Sequence, residues 1–153
     1  MKPIRRKDRE ISHREAMELL DSAEYGTLST VGPDGQPYGV PLSYAHKNGH
    51  IYFHCAREGR KLDNLAHNPK VSFSVVGKTK VLPEKFGTEY ESAVAFGVAT
   101  EALGQERYDA LRWLLEKYCA DFLEEGKQYI DLKDKATKVF KIEISHVSGK
   151  ARR

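Results

Sequence analysis

Residues Pro37–Ala56 read PYGVPLSYAHKNGHIYFHCA, and the nine that follow, Arg57–Leu65, read REGRKLDNL. Asn48-Gly49 stands between two alternating apolar stretches, the strongest short hairpin signal a sequence carries. The second arm, Ile51–Cys55, stops at a turn holding Arg57, Gly59, Arg60 and Lys61, and a helix-like segment with Leu62 and Leu65 follows at once. A strand that brings a glycine and cations to the start of a helix is a common phosphate cradle. Free backbone N–H groups and the positive end of the helix dipole both meet the anion there. A solvated turn has the same composition, so the rest of the chain has to decide.

With a two-residue loop, Lys47 pairs with His50. Stepping outward, Tyr44 faces Phe53, Ser43 faces His54 and Leu42 faces Cys55. Val40, Leu42, Tyr44, Ile51, Phe53 and Cys55 then share one apolar face, assigned to the interior. The opposite face, with Pro41, Ser43, Tyr52 and His54, is semi-polar and leads into the turn. It offers a bed for a flat heteroaromatic ligand whose phosphate rests at Arg57, Gly59 and Lys61. Gly39 and Pro41 permit close approach to the strand backbone. His46, His50 and His54 lie four apart, a spacing that converges only on a helix. Here a turn separates them and His46 and His54 fall on opposite faces, so no metal site is expected.

Working outward, Ser12 with Glu15 forms a capping box ahead of a short amphipathic helix. Strand patterns cover Tyr25–Val31, Tyr38–His46, Ile51–Cys55, Val71–Val76, Ser92–Glu101 and Lys138–Val147. Gly77–Tyr90, with Pro83 and Gly87, has no clean period and reads as a long functional loop. Tyr108, Leu111, Leu115, Tyr118 and Phe122, widened by Leu114 and Cys119, define an amphipathic helix over about residues 105–124, with its stripe in the core. The fold class is therefore mainly β (α+β), a six-stranded antiparallel barrel with flanking helices. No linker divides the 153 residues, so a single domain over 1–153 is expected, with a basic N-terminal arm at about 1–11.

A net charge of +3 is too small, and too concentrated at the two ends, to mark a nucleic-acid surface. Arg5, Arg6, Lys7 and Lys150, Arg152, Arg153 read as frayed basic termini. Cys55 and Cys119 are too few for a disulfide scaffold or zinc knuckle and read as reduced thiols. No apolar run is long enough for a membrane span, and MKPIRRKDRE lacks the core of a signal peptide, so a cytoplasmic protein is expected.

The ordered set of RRKDREI (residues 5–11), the hairpin, GRKLDNL (59–65), NPKVSFSVVG (68–77) and TEYESAVAFGVA (88–99) carries a resemblance. It resembles the Nim family of 5-nitroimidazole resistance proteins, within the pyridoxamine 5'-phosphate oxidase-like split-barrel flavoproteins. The resemblance implies a split barrel and a homodimer with FMN in grooves at the subunit interface. It lays the isoalloxazine along Val40, Pro41, Leu42 and Ser43, beside the strand end His54, Cys55 and Ala56. The phosphate goes to Arg57, Gly59, Arg60 and Lys61, with Arg57, Arg60 or both in contact. The second subunit contributes Tyr90, Glu91 and Ser92, and the loop Lys78–Glu89 covers the site. His54 matches the family's active-site histidine, implying substrate contact in the flavin-dependent reduction of small nitro-heteroaromatic compounds. FAD suits the same turn, and haem, with a histidine as axial ligand, is a second cofactor known to this fold. A protein that only carries or senses flavin is a third reading. No Gly-x-Gly-x-x-Gly fingerprint marks a separate dinucleotide site.

Overall fold

A computed structural model describes all residues 1–153. Seven antiparallel strands form one curled sheet: β1 (Gly26–Val31), β2 (Pro37–Leu42), β3 (Ala45–Lys47), β4 (His50–Cys55), β5 (Lys70–Leu82), β6 (Gly87–Glu101) and β7 (Lys138–Arg152), in the order β2-β1-β5-β6-β7-β4-β3. Four helices flank it: α1 (His13–Ser22), α2 (Arg60–His67), α3 (Gly104–Tyr118) and α4 (Leu123–Lys133). This is the antiparallel split-barrel class expected from the sequence, with one strand more. No helix is long and apolar enough to cross a membrane.

The extra strand comes from a break at Ser43-Tyr44. β2 pairs with β1 (Gly26↔Leu42, Thr27↔Pro41), whereas β3 pairs with β4 (Lys47↔His50, His46↔Ile51, Ala45↔Tyr52). The tight turn behaves as expected, with Asn48 and Gly49 both at positive φ (53° and 76°). The pairing of Tyr44, Ser43 and Leu42 with Phe53, His54 and Cys55 does not form. β4 pairs with β7 along its other edge, matching His54 to Val139 and Cys55 to Lys138, and beyond Tyr52 its β3-side edge has no strand partner. β2 lies at the end of the strand order, which is where its Pro37 and Pro41 are tolerated.

Tyr44 anchors the corner. Its ring is fully buried, its hydroxyl donates to Leu20 O at 2.5 Å, and its N–H donates to the Tyr118 hydroxyl at 3.1 Å. Lys117 closes the corner from α3, its Nζ donating to Tyr44 O at 3.1 Å.

Two apolar cores result. Leu20, Leu28, Tyr44, Ile51, Phe53, Phe73 and Ile142 fill the barrel interior, with Val40 and Leu42 packed against them, as the interior face required. Tyr52, on the opposite face of β4, is buried with Ala110, Leu111, Leu114 and Val139 beneath α3. Its hydroxyl donates to Glu106 at 2.9 Å, and its ring lies 5.3 Å from that of Trp113. Tyr52 is therefore core, and the semi-polar ligand face expected there is reduced to its end near His54.

Three further expectations change. Gly77–Tyr90 is not a loop: β5 and β6 continue through it as a ribbon (Thr79↔Tyr90, Leu82↔Gly87), closed by a 3-10 turn at Pro83–Lys85. A register shift between Val76 and Thr79 interrupts the alternation and hid the strand period. The helix expected over 105–124 ends at Tyr118, and a second one, α4, follows. Tyr108, Tyr118 and Phe122 remain partly or largely exposed, so only Leu111 and Leu114 of the stripe are true core. Nor are the basic ends frayed. Ile11 N donates to Gly149 O at 3.1 Å, and Arg153 reaches Glu15 at 2.7 Å.

The capping box expected at Ser12 is present, with Glu15 N donating to Ser12 Oγ at 3.1 Å. Ser12→Ala is expected to cost about 1 kcal/mol of stability, read as a shift in the urea midpoint at constant slope.

Candidate functional site

β2 and β4 approach from opposite ends of the strand order and share no backbone hydrogen bonds, which leaves a split in the barrel wall. A cavity of about 200 Å³ occupies it, with Tyr38 and Val40 on the β2 side and Cys55 and Ala56 on the β4 side. Its far end is made by Gly59, Arg60 and Lys61, with Glu58 also at the wall.

The local sequence explains this end. β4 stops at Cys55, and Gly59 then adopts φ 146°, a conformation that side chains other than hydrogen rarely reach. Helix α2 starts at Arg60 without any side-chain cap, so its first-turn N–H groups have no side-chain acceptor. The Arg60 guanidinium lies 5.3 Å from the centre of the Tyr38 ring, and Lys61 Nζ lies 5.6 Å from that of Phe53. Behind them Asn64 Nδ2 donates to Thr30 Oγ1 at 3.0 Å in a buried contact that fixes α2 to β1. An uncapped helix start with two unpaired cations is a donor set matched to a phosphate, and the apolar strand walls beside it suit a flat ring. The residues present therefore fit a phosphate-bearing flavin.

A second cavity, about 270 Å³, opens from the other side of the same strand end. Ser43 and His54 form its floor on the sheet, and α3 and α4 form its walls. His54 keeps much of its surface in contact with solvent, yet burial of its ring, helped by the nearby Lys61 charge, pushes its pKa below the usual 6.5. It is accordingly a neutral imidazole at pH 7, with one donor and one acceptor nitrogen. Burial also raises the Cys55 thiol, which stays protonated.

Two consequences follow for His54. Below pH 6.5 the unfolded chain binds a proton that the folded one resists, so this residue's contribution to stability falls as the pH drops through 6.5 toward the folded value. Lys61→Met is expected to raise the His54 pKa, followed by NMR titration of the imidazole C–H. An unchanged midpoint would remove Lys61 as a neighbour in charge.

Of the residues singled out in the sequence, Val40, Cys55, Ala56, Gly59, Arg60 and Lys61 line the first cavity, and Ser43 and His54 the second. Pro41 and Leu42 complete the β2 strand between them. Arg57 is exposed and lines neither cavity, whereas Arg60 lines the first. Tyr90, Glu91 and Ser92 sit on the β6 ribbon and line neither. Tyr90 and Glu91 instead border a separate basic surface with Lys78, Lys80 and Arg152. The covering loop expected from Lys78 to Glu89 does not exist, since those residues belong largely to strands.

Tyr38 was missed, although its place two residues before Val40 on an alternating strand puts it on the same face. The α4 residues of the second cavity were missed as well. Among the other histidines, His46 Nδ1 lies 2.7 Å from Asp21 and His50 Nδ1 lies 2.9 Å from Asn48 O, so neither joins His54. No three His, Cys, Asp or Glu side chains come together as a metal site would require.

Fold and site together define an antiparallel split-barrel protein with a phosphate-suited turn at the split. The chain belongs to the pyridoxamine 5'-phosphate oxidase family, whose model matches residues 12–151.

The chain is similar in fold to a Bacteroides thetaiotaomicron protein provisionally assigned to 5-nitroimidazole antibiotic resistance. That similarity has a TM-score of 0.79 at 23% identity, over 92% of this chain and 85% of the other. It is also similar to an FAD-binding protein of Mesorhizobium loti, with a TM-score of 0.65 at 26% identity, over 95% and 98%. An uncharacterised Rhizobium meliloti protein is 33% identical over 67 residues, which are 44% of this chain and only 43% of that curated relative's length.

Proposed function

We propose that residues 1–153 form one domain of a flavin-dependent oxidoreductase that reduces small nitro-heteroaromatic compounds. One observation carries the reading: Arg60, Lys61 and the uncapped start of α2 close one end of the split, and His54 stands on the opposite face of the strand end that forms its wall. Val40, Pro41, Leu42 and Ser43 supply one wall for the flavin ring, and His54, Cys55 and Ala56 the other. Gly59, Arg60 and Lys61 hold the phosphate. The single compact phosphate end favours FMN, and FAD is the alternative suggested by the M. loti relative. When bound, flavin supplies the electron transfer that no side chain of this protein supplies.

The chain's own contribution is placement. His54, neutral near pH 7, offers one N–H to an oxygen of the substrate and holds it beside the ring edge. A homodimer completes the enclosure. The β5–β6 ribbon exposes Val76, Val81 and Phe86, apolar surface suited to a second copy. Across such an interface Tyr90, Glu91 and Ser92 are the residues a partner would contribute. Two free thiols, Cys55 and Cys119, suit the reducing cytoplasm.

His54→Ala tests the assignment. It is expected to keep the flavin absorbance while lowering kcat/KM for a 5-nitroimidazole, with NADH or NADPH as donor, by about tenfold, the worth of one oriented hydrogen bond. Unchanged flavin content and unchanged turnover would remove His54 from the site. Bound flavin that neither nicotinamide reduces would leave a flavin carrier instead.

A further inference from the structure

The second cavity shares only Ser43 and His54 with the proposed flavin walls. We infer that it is the compartment that selects the acceptor ring, and that Tyr129 and Ile130 of α4 set the size it admits. The inference rests on the flavin reading only in placing the reacting edge at His54.

The cavity measures about 270 Å³. An apolar cavity of about 150 Å³ holds benzene, whereas sites for drug-sized ligands begin near about 300 Å³. The space therefore fits one planar ring with small substituents. Its walls are apolar, contributed by Leu111, Leu114 and Leu115 from α3 and Ile130 from α4. Its helix walls also carry the Tyr118 and Tyr129 hydroxyls and the Cys119 thiol, and the remaining hydrogen-bonding groups stand at its ends. Ser43 and His54 lie at the sheet, and Lys133, Asp134 and Thr137 lie at the far rim.

The far rim is engaged at Asp134 and Thr137. The Arg107 guanidinium binds the Asp134 carboxylate, and its NH2 donates to Asp134 O at 3.0 Å and Thr137 O at 2.9 Å. The Thr137 hydroxyl donates to Lys133 O at 3.0 Å. That leaves Ser43 and His54 at the sheet, with the Tyr129 hydroxyl and the Lys133 ammonium farther out, to meet a ligand's polar substituents, a set suited to a ring that carries acceptor groups.

Helix α4 is built as a cover. None of its residues is fully buried. It rests on α3, where Gly126 packs so closely against Leu115 that a Cβ there would collide with the leucine side chain. The Arg107 clamp at Asp134 holds its far end. Tyr129 lies outside both apolar cores and Ile130 only packs against the edge of the second, which leaves this face open to change as a specificity wall requires.

The test is calorimetric titration of the purified protein, without reductant, with a 5-nitroimidazole and with 1-nitronaphthalene. Wild type is expected to bind the single ring and to exclude the fused one. Ile130→Phe, which fills the cavity, is expected to weaken the single ring at least tenfold. Tyr129→Ala is expected to admit the fused ring, with the flavin absorbance of both variants unchanged. If neither variant alters either affinity, the inference is overturned. Should Ile130→Phe fail to fold, Tyr129→Ala alone decides, since continued exclusion of the fused ring overturns the inference as well. A preparation that lacks flavin yet binds the ring in the Tyr129- and Ile130-dependent way separates failure of the flavin reading from failure of this one.

Discussion

An Arg60→Ala, Lys61→Ala double variant is expected to bind FMN roughly 100-fold more weakly than wild type, measured by quenching of flavin fluorescence. Each charge-assisted hydrogen bond to a phosphate is worth about 1.5–3 kcal/mol when sheltered, and about half of that at a partly exposed turn such as this. Two such bonds amount to roughly 1.5–3 kcal/mol, and each 1.4 kcal/mol is about a factor of ten in affinity. The remaining N–H groups at the start of α2 keep some affinity. Arg57→Ala is the control, because Arg57 is exposed and outside the cavity. It is expected to shift affinity less than about threefold, as a distant screened charge does. Added salt is expected to weaken wild-type binding and to matter less in the double variant.

The largest effect on stability is expected from Phe53→Ala. Phe53 is fully buried in the barrel interior, stacks on Phe140 at a centroid distance of 5.8 Å, and carries the Lys61 ammonium above its face. Truncation leaves a cavity bounded by strands that cannot collapse, for a loss of about 3–5 kcal/mol in urea unfolding. Phe86→Ala provides the contrast. That ring is 97% exposed at the tip of the ribbon, so its loss is expected to leave stability of the monomer within about 0.5 kcal/mol. A drop in dimer affinity for Phe86→Ala would add support for the ribbon as the subunit interface.

The part of the molecule legible in the sequence is the part governed by local rules. Asn48-Gly49 forces a tight turn, Ser12 with Glu15 starts α1, and Gly59-Arg60-Lys61 starts α2. Each depends on residues within four positions of one another. The interior face of the hairpin was also legible, because the alternation of Tyr44, Ile51 and Phe53 holds whichever strand lies alongside.

What was not legible depends on distant partners. The break at Ser43-Tyr44 arises because β2 leaves the hairpin to pair with β1, so the end of β4 keeps β7 on one edge and no strand on the other, and nothing within the hairpin announces that exchange. Tyr52 is buried because α3, some sixty residues later, lies over it. The ribbon at Gly77–Tyr90 was concealed by the register shift near Gly77, where a Cβ would press on Leu19 and Glu91. Helix α4 was missed for a related reason: with no fully buried residue, it lacks the apolar stripe by which helices are recognised. The phosphate end of the candidate site was therefore readable, while the far wall of its second cavity was not.

The central claim is that the split between β2 and β4 holds a flavin by its phosphate at Gly59–Lys61. The most direct measurement is the visible absorbance spectrum of the purified protein after free small molecules are removed, with mass spectrometry of the released chromophore. The account predicts the two broad bands of a flavin, at one per chain, with FMN released. A single intense Soret band, or a colourless protein that does not take up added FMN, would contradict it.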